Sequence, residues 1–132
     1  MSLLIGIHIK EVLLKDEGIS EKVGNRVYPL VIPVGAPKYP FIVFRNDGTA
    51  PDYTKDGNNE DSVGVSVEVV AKEYGEAVEI GNSIRYALEE KRRRYEQFEV
   101  RDCALTGTAE EWLDDIDAYG IILNFEMKTV DF

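Results

Sequence analysis

The chain has little of what most catalytic or metal-binding sites are built from: one cysteine, Cys103, and one histidine, His8. A lone cysteine cannot form an internal disulfide, and its strand-like surroundings mark Cys103 as a buried thiol rather than a nucleophile. A lone histidine leaves a zinc site dependent on carboxylates, and no serine or cysteine has the company of a triad. Phosphate-cradling motifs are also missing, since Gly75 and Gly81 are too sparse and Gly57 has no following Lys-Ser or Lys-Thr. No run approaches the ~20 apolar residues of a membrane span. The opening MSLLIGIHIKEV is apolar only briefly and has no basic leader, so neither a signal peptide nor a membrane segment is expected. Basic charge is in deficit. With 25 acidic against 15 basic residues the net charge is −10, a surface that repels phosphate backbones and lets DNA pass rather than gripping it.

What is present is a pattern of strands and helices sized for one domain, 1–132, with a single core. Ser2 is placed to cap a first helix whose Leu4, Ile5, His8, Ile9, Val12 and Leu13 share one face, with Gly18 as its stop. His8 on that face reads as a partly buried helix residue. A short turn from Ser20 to Gly24 follows. The stretch RVYPLVIPVGAPKYPFIVFR, Arg26 to Arg45, then packs Pro29, Pro33, Pro37 and Pro40 among the bulky runs Val27-Tyr28, Leu30 to Ile32 and Phe41 to Phe44. Proline cannot donate to a ladder, so this segment is expected at a sheet margin.

The next segment, Asn46 to Glu60, contains almost nothing that could be buried and reads as a long mobile loop. Its DYTKDGNNED portion loosely resembles an oxygen-ligand calcium loop, but the register is wrong and turns account for its composition. Asp61 to Lys72 gives the clearest strand, because Val63, Val65, Val67 and Val69 alternate with Gly64, Ser66 and Glu68. Tyr74 to Arg94 has the helical period, with Ala77, Ile80, Gly81, Ile84, Ala87 and Leu88 on one face. Phe98 to Leu105 is a strand whose phase changes at Arg101-Asp102, the sign of a bulge. Tyr119 to Phe132 alternates cleanly and should pair antiparallel with it. The expected fold is α+β: a mostly antiparallel sheet of about four to five strands with two main helices on one face.

Two charged clusters stand out. Lys91, Arg92, Arg93 and Arg94 close the second helix, where the helix dipole alone accounts for them. Glu110, Glu111, Asp114, Asp115 and Asp117 surround Trp112 in what reads as a solvated turn or short helix. Opposite charges displaced on one subunit also suit a head-to-tail contact, and such contacts close into rings.

The order of these pieces resembles the tail completion, or tail terminator, proteins of long-tailed bacteriophages and prophages, over nearly the whole chain. The resemblance rests on several pieces: the helix ending near Gly18, the Val23-Gly24 to Pro29 passage, Ala36-Pro37 with Tyr39 to Phe44, the polar loop, SVEVVAKEYGEAVEIGNSIRYALE and the closing strand. It implies a non-enzymatic virion protein without cofactor, assembled in the bacterial host cytoplasm. Such a protein forms a ring, typically of six subunits, on the head-proximal end of the tail. Implied partners are the major tail tube protein and head-tail connector proteins, with DNA only as passing cargo and no membrane. By analogy, subunit and tube contacts fall on Pro33, Pro37, Tyr39 and Pro40 and on Asp47, Asp52, Tyr53, Lys55 and Asp56, beside Arg92, Arg93, Glu110, Glu111 and Asp114. Two alternatives stay open: a connector or adaptor on the portal side, and a small cytosolic enzyme or ligand-binding domain using carboxylates.

Overall fold

The computed structural model describes residues 3–31, 35, 38–53 and 59–132, with 51–53 and 59 described by their backbone. The elements are α1 (Ile5–Lys15), α2 (Glu17–Val23), β1 (Val27–Pro29), β2 (Phe41–Tyr53), β3 (Asn59–Ala71), α3 (Tyr74–Leu88), β4 (Arg93–Arg94), β5 (Phe98–Leu113) and β6 (Ala118–Asp131). The class is α+β as expected, but the count differs. One mixed sheet holds six strands in the order β1-β2-β3-β6-β5-β4 and is accompanied by three helices. β1 runs parallel to β2, and every other pair is antiparallel.

The core follows from the period of two in β3 and the helical period in α3. Val63, Val65, Val67 and Val69 point to the helices, where Ile80, Ile84 and Leu88 of α3 and Ile5, Ile9 and Leu13 of α1 are buried with them. Each such side chain contributes about 1.5–3 kcal/mol on leaving water. Gly81 permits the approach of α3 to β6, because a Cβ there would lie 3.2 Å from Ile121 Cγ2. Leu123, Phe125 and Met127 of β6 complete the same face, as its alternation predicts.

Four boundaries differ from expectation. Ser2, the expected cap, lies outside the described residues; α1 begins after Leu4 and stops at Lys15. Asp16, extended, then caps α2 by accepting from the Ile19 amide at 3.1 Å, so Gly18 sits inside a second helix. That helix ends at Gly24, whose φ of +61° suits glycine. The polar segment 46–60 is mostly strand, not loop. β2 runs on to Tyr53 and β3 starts at Asn59, because the valine-rich β3 provides a ladder that overrides the weak strand preference of Asn, Asp and Gly.

The remaining two lie at the end of α3 and on β5. α3 ends at Leu88, and Glu90, with φ +61°, turns the chain so that its N–H reaches Cys103 O at 2.8 Å. The arginines therefore lie beyond the helix, and Arg93 and Arg94 pair with Val100 and Glu99. Two residues are too few for a readable period. β5 has its expected bulge between Val100 and Asp102, a second between Leu105 and Gly107, and continues as strand through Trp112 to Leu113. Leu30 and Val31, expected to pack, are each 69% exposed.

Candidate assembly surfaces

The sheet presents its other face without helices. There the alternation of β3 places Ser62, Gly64, Ser66 and Glu68, beside Asn124 and Ile122 of β6 and Ala109 and Glu111 of β5. A smaller apolar cluster of Phe41, Val70 and Ala118, flanked by Tyr28, Tyr39, Val43, Leu113 and Ile116, closes one end of this face. Tyr39 packs on Phe41, with ring centroids 5.3 Å apart, and lies under Lys72 Nζ at 4.5 Å. Pro40 follows a cis peptide bond, and its carbonyl accepts from Arg26 Nε at 3.0 Å. Both residues thus anchor the start of β2.

In the middle of this face two carboxyl groups meet. Glu68 lies over Gly120, where an added Cβ would collide with its Oε2 and lie 3.1 Å from Glu111 Cγ. Burial first, then hydrogen bonding to Glu111 and that group's charge, push the Glu68 carboxyl up to about 8, while Arg45 pulls it down. Burial beside a second acid thus favours the uncharged form of Glu68. On the opposite, helix-covered face, His8 is fully buried, with Nδ1 2.8 Å from the Tyr95 hydroxyl. Burial lowers its pKa to about 4, helped by Arg93 and Lys91 and opposed by Glu11.

The expected contact residues fall into three places. Asp47 sits at the register shift of β2, bonded by Arg45 Nε at 2.7 Å and by the Ser66 hydroxyl. Asp52 and Tyr53 follow it on the same strand, opposite Glu60 and Asn59. Pro33, Pro37, Lys55 and Asp56 lie outside the described residues. Glu110, Glu111 and Asp114 gather at the far end of β5: Glu110 accepts from the Tyr74 hydroxyl at 2.6 Å, and Asp114 from Trp112 Nε1 at 2.9 Å. Arg92 and Arg93 are at the other end of that strand, where they line a basic groove with Arg94 and Arg101. Arg93 is already paired with Glu11 at 2.7 Å. From Arg94, opposite Glu99, to Glu110 the strand climbs about 35 Å at ~3.3 Å per residue. The structure thus separates the two charged clusters and brings the acidic one level with Tyr39 and Pro40.

The proline-rich segment lies at a sheet margin as expected, with β1 the edge strand, but sequence reasoning missed the open stretches of β2 and β5. Among the described residues, β1 pairs only with Ile42 to Phe44, and no strand covers the outer edge of β2 from Arg45 to Tyr53. At the other margin β4 and Glu90 cover β5 as far as Cys103, leaving Ala104 to Leu113 open. Pro51 inside β2 was a usable sign, because proline within a strand belongs to an edge. An apolar groove of about 520 Å³ lies against the first of these margins, lined by Leu3, Ile5, Leu30 and Phe44 and bordered by Arg45 and Thr49. Among the described residues no group of three His, Cys, Asp or Glu is placed to hold a metal, and no helix is long and apolar enough to cross a membrane.

Beside the polar cleft that Arg45, Ser66, Glu68, Glu111 and Asn124 line, the sheet carries exposed unlike margins, a surface suited to a subunit among other proteins. The comparisons agree. The sequence model of the family Tail completion protein gp17 matches residues 8–129, and the chain belongs to that family, a family of structural phage tail proteins. Its fold is shared with a chain of the structure titled "Virion of native gene transfer agent (GTA) particle", at a TM-score of 0.80 and 15% identity, over 94% of this chain and 92% of that one. No curated protein sequence matches it.

Proposed function

We propose that this protein, as a single domain without enzymatic activity, caps the head-proximal end of a phage or prophage tail tube. It does so as a ring, ending polymerisation and presenting the surface for head-tail joining. The observation that carries this reading is the pair of unlike open margins on one subunit, set in a chain of the tail completion family. A contact between unlike surfaces repeats from copy to copy and closes when the rotation permits, and six copies are the number the family resemblance suggests. Tube subunits and head-tail connectors bind the two rims of such a ring. The Arg92–Arg93 end and the Glu110–Asp114 end, on opposite ends of β5, supply oppositely charged contacts. The acidic balance lets DNA cross the lumen without adhering. Assembly takes place in the host cytoplasm and the product resides in the virion tail.

The test is direct. Purified protein added to polymerising tail tube protein should shorten the tubes and leave one end closed by a ring in electron micrographs, and particles lacking the gene should carry overlong tails. Binding to DNA-filled heads with no effect on tube length would instead make it a connector.

A further inference from the structure

The two open margins match one another in length, direction and face. Arg45–Tyr53 of β2 and Ala104–Leu113 of β5 each extend about 30 Å. Strands β2, β3, β6 and β5 alternate in direction, so β5 brought beside β2 of an equally oriented copy meets it antiparallel and the alternation runs on unbroken. Ordinary subunits blunt such edges, as Pro51 does at the far end of β2, leaving Arg45 to Ala50 as its fully donating stretch. Here most of the second edge is exposed, apolar Ala104, Ala109 and Trp112 included.

One register satisfies both faces. With Glu111 opposite Arg45, the extra residue at the Asp47 bulge brings Thr108 opposite Thr49. Thr108 then lies on the helix-covered side with Thr49, their own partners being Leu123 and Val63. Trp112 falls one position past the open margin on that same side, beside Phe44 and Leu30, the Leu30 N–H already closing the edge at Phe44 O. Glu111 and Ala109 lie on the other side with Arg45 and Gly48. We infer that the β5 edge of one copy adds as a strand to the β2 edge of the next, seating Trp112 against the Leu3–Leu30–Phe44 groove and Glu111 beside Arg45. This deepens the capping-ring reading and rests on it.

The chemistry suits the joint. Trp112, edge-to-face with Tyr119, is still 50% exposed in the single subunit, and the groove has no occupant from its own chain among the described residues. Main-chain bonds supply the attraction of strand addition and alternate side chains its specificity. Arg45 is paired with the exposed Asp47, a weak pair that exchanges readily, and also lies within the field of Glu68. Glu111, close to Glu68, gains beside it an Arg45 that its own subunit sets three strands away.

The test uses the full chain carrying Thr49→Cys and Thr108→Cys together, mixed with tail tubes and oxidised. Native Cys103 is buried and gives little background. A ladder of covalent multimers, reversed by reductant and missing from each single variant and from the Thr49→Cys/Ala109→Cys pair, is the expected result. The single Trp112 adds a reading without mutation: its emission should shift to the blue on assembly. Rings at tube ends that form from the folded double variant without bridging would overturn the joint and leave the capping reading intact. Wild-type protein that forms no ring with tubes present removes both.

Discussion

The helix-covered and helix-free faces of the sheet are written by the same residues of β3, one parity each, yet they serve different ends. Val63, Val65, Val67 and Val69 are sealed under α1 and α3, whereas Ser62, Gly64, Ser66 and Glu68 remain a polar surface. Stability is concentrated on the first face, which frees the second to carry groups that a core would reject. The carboxyl pair of Glu68 and Glu111 is one such group.

The contrast can be broken most severely from the covered side. Ile84→Ala removes a fully buried side chain between α3 and the valines and should cost about 2–5 kcal/mol, read from denaturant midpoints. Next comes His8, whose folded pKa of about 4 lies below its ordinary 6.5. Its contribution is complete above pH 6.5 and is lost as pH falls through 4, a decline of about 3 kcal/mol. The only histidine in the chain makes NMR titration an unambiguous check.

The free face gives smaller and opposite effects. The Glu68 carboxyl is raised to about 8, so its contribution is complete below pH 4.5 and is lost as pH rises through 8. Solvent screening at this half-buried site keeps the loss near ~1 kcal/mol. Glu68→Gln should flatten that decline between pH 4.5 and 8 in thermal unfolding, most cleanly read above pH 6.5, where His8 no longer contributes a slope. Smallest of all, Asp47→Ala removes one exposed ion pair and the Ser66 hydrogen bond and should cost under about 1 kcal/mol. A loss as large as that of Ile84→Ala would end the division between the faces.

Periodicity made the covered face readable: the valines of β3, the Ala77 to Leu88 stripe of α3 and the alternation of β6 are where they were expected. The bulge at Arg101-Asp102 was legible for the same reason, since an inserted residue shifts the phase. What escaped was held by backbone rather than side-chain pattern. Asn46 to Tyr53 has a loop's composition and becomes strand because β3 supplies its ladder, and Glu110 to Leu113 does the same against β6. The short β4 and the parallel β1 depend on partners distant in the chain. Of the candidate site, Trp112 and its acids were visible as a cluster. Arg45, Glu68 and the open margins required the sheet order.

The two register shifts in β5 carry a mechanical consequence. Slippage of this hairpin by one residue would invert every side chain, and slippage by two would leave both bulges facing regular strand. They act as notches that prevent creep, so a pull on the Trp112 tip travels down the ribbon to its root with no lost motion.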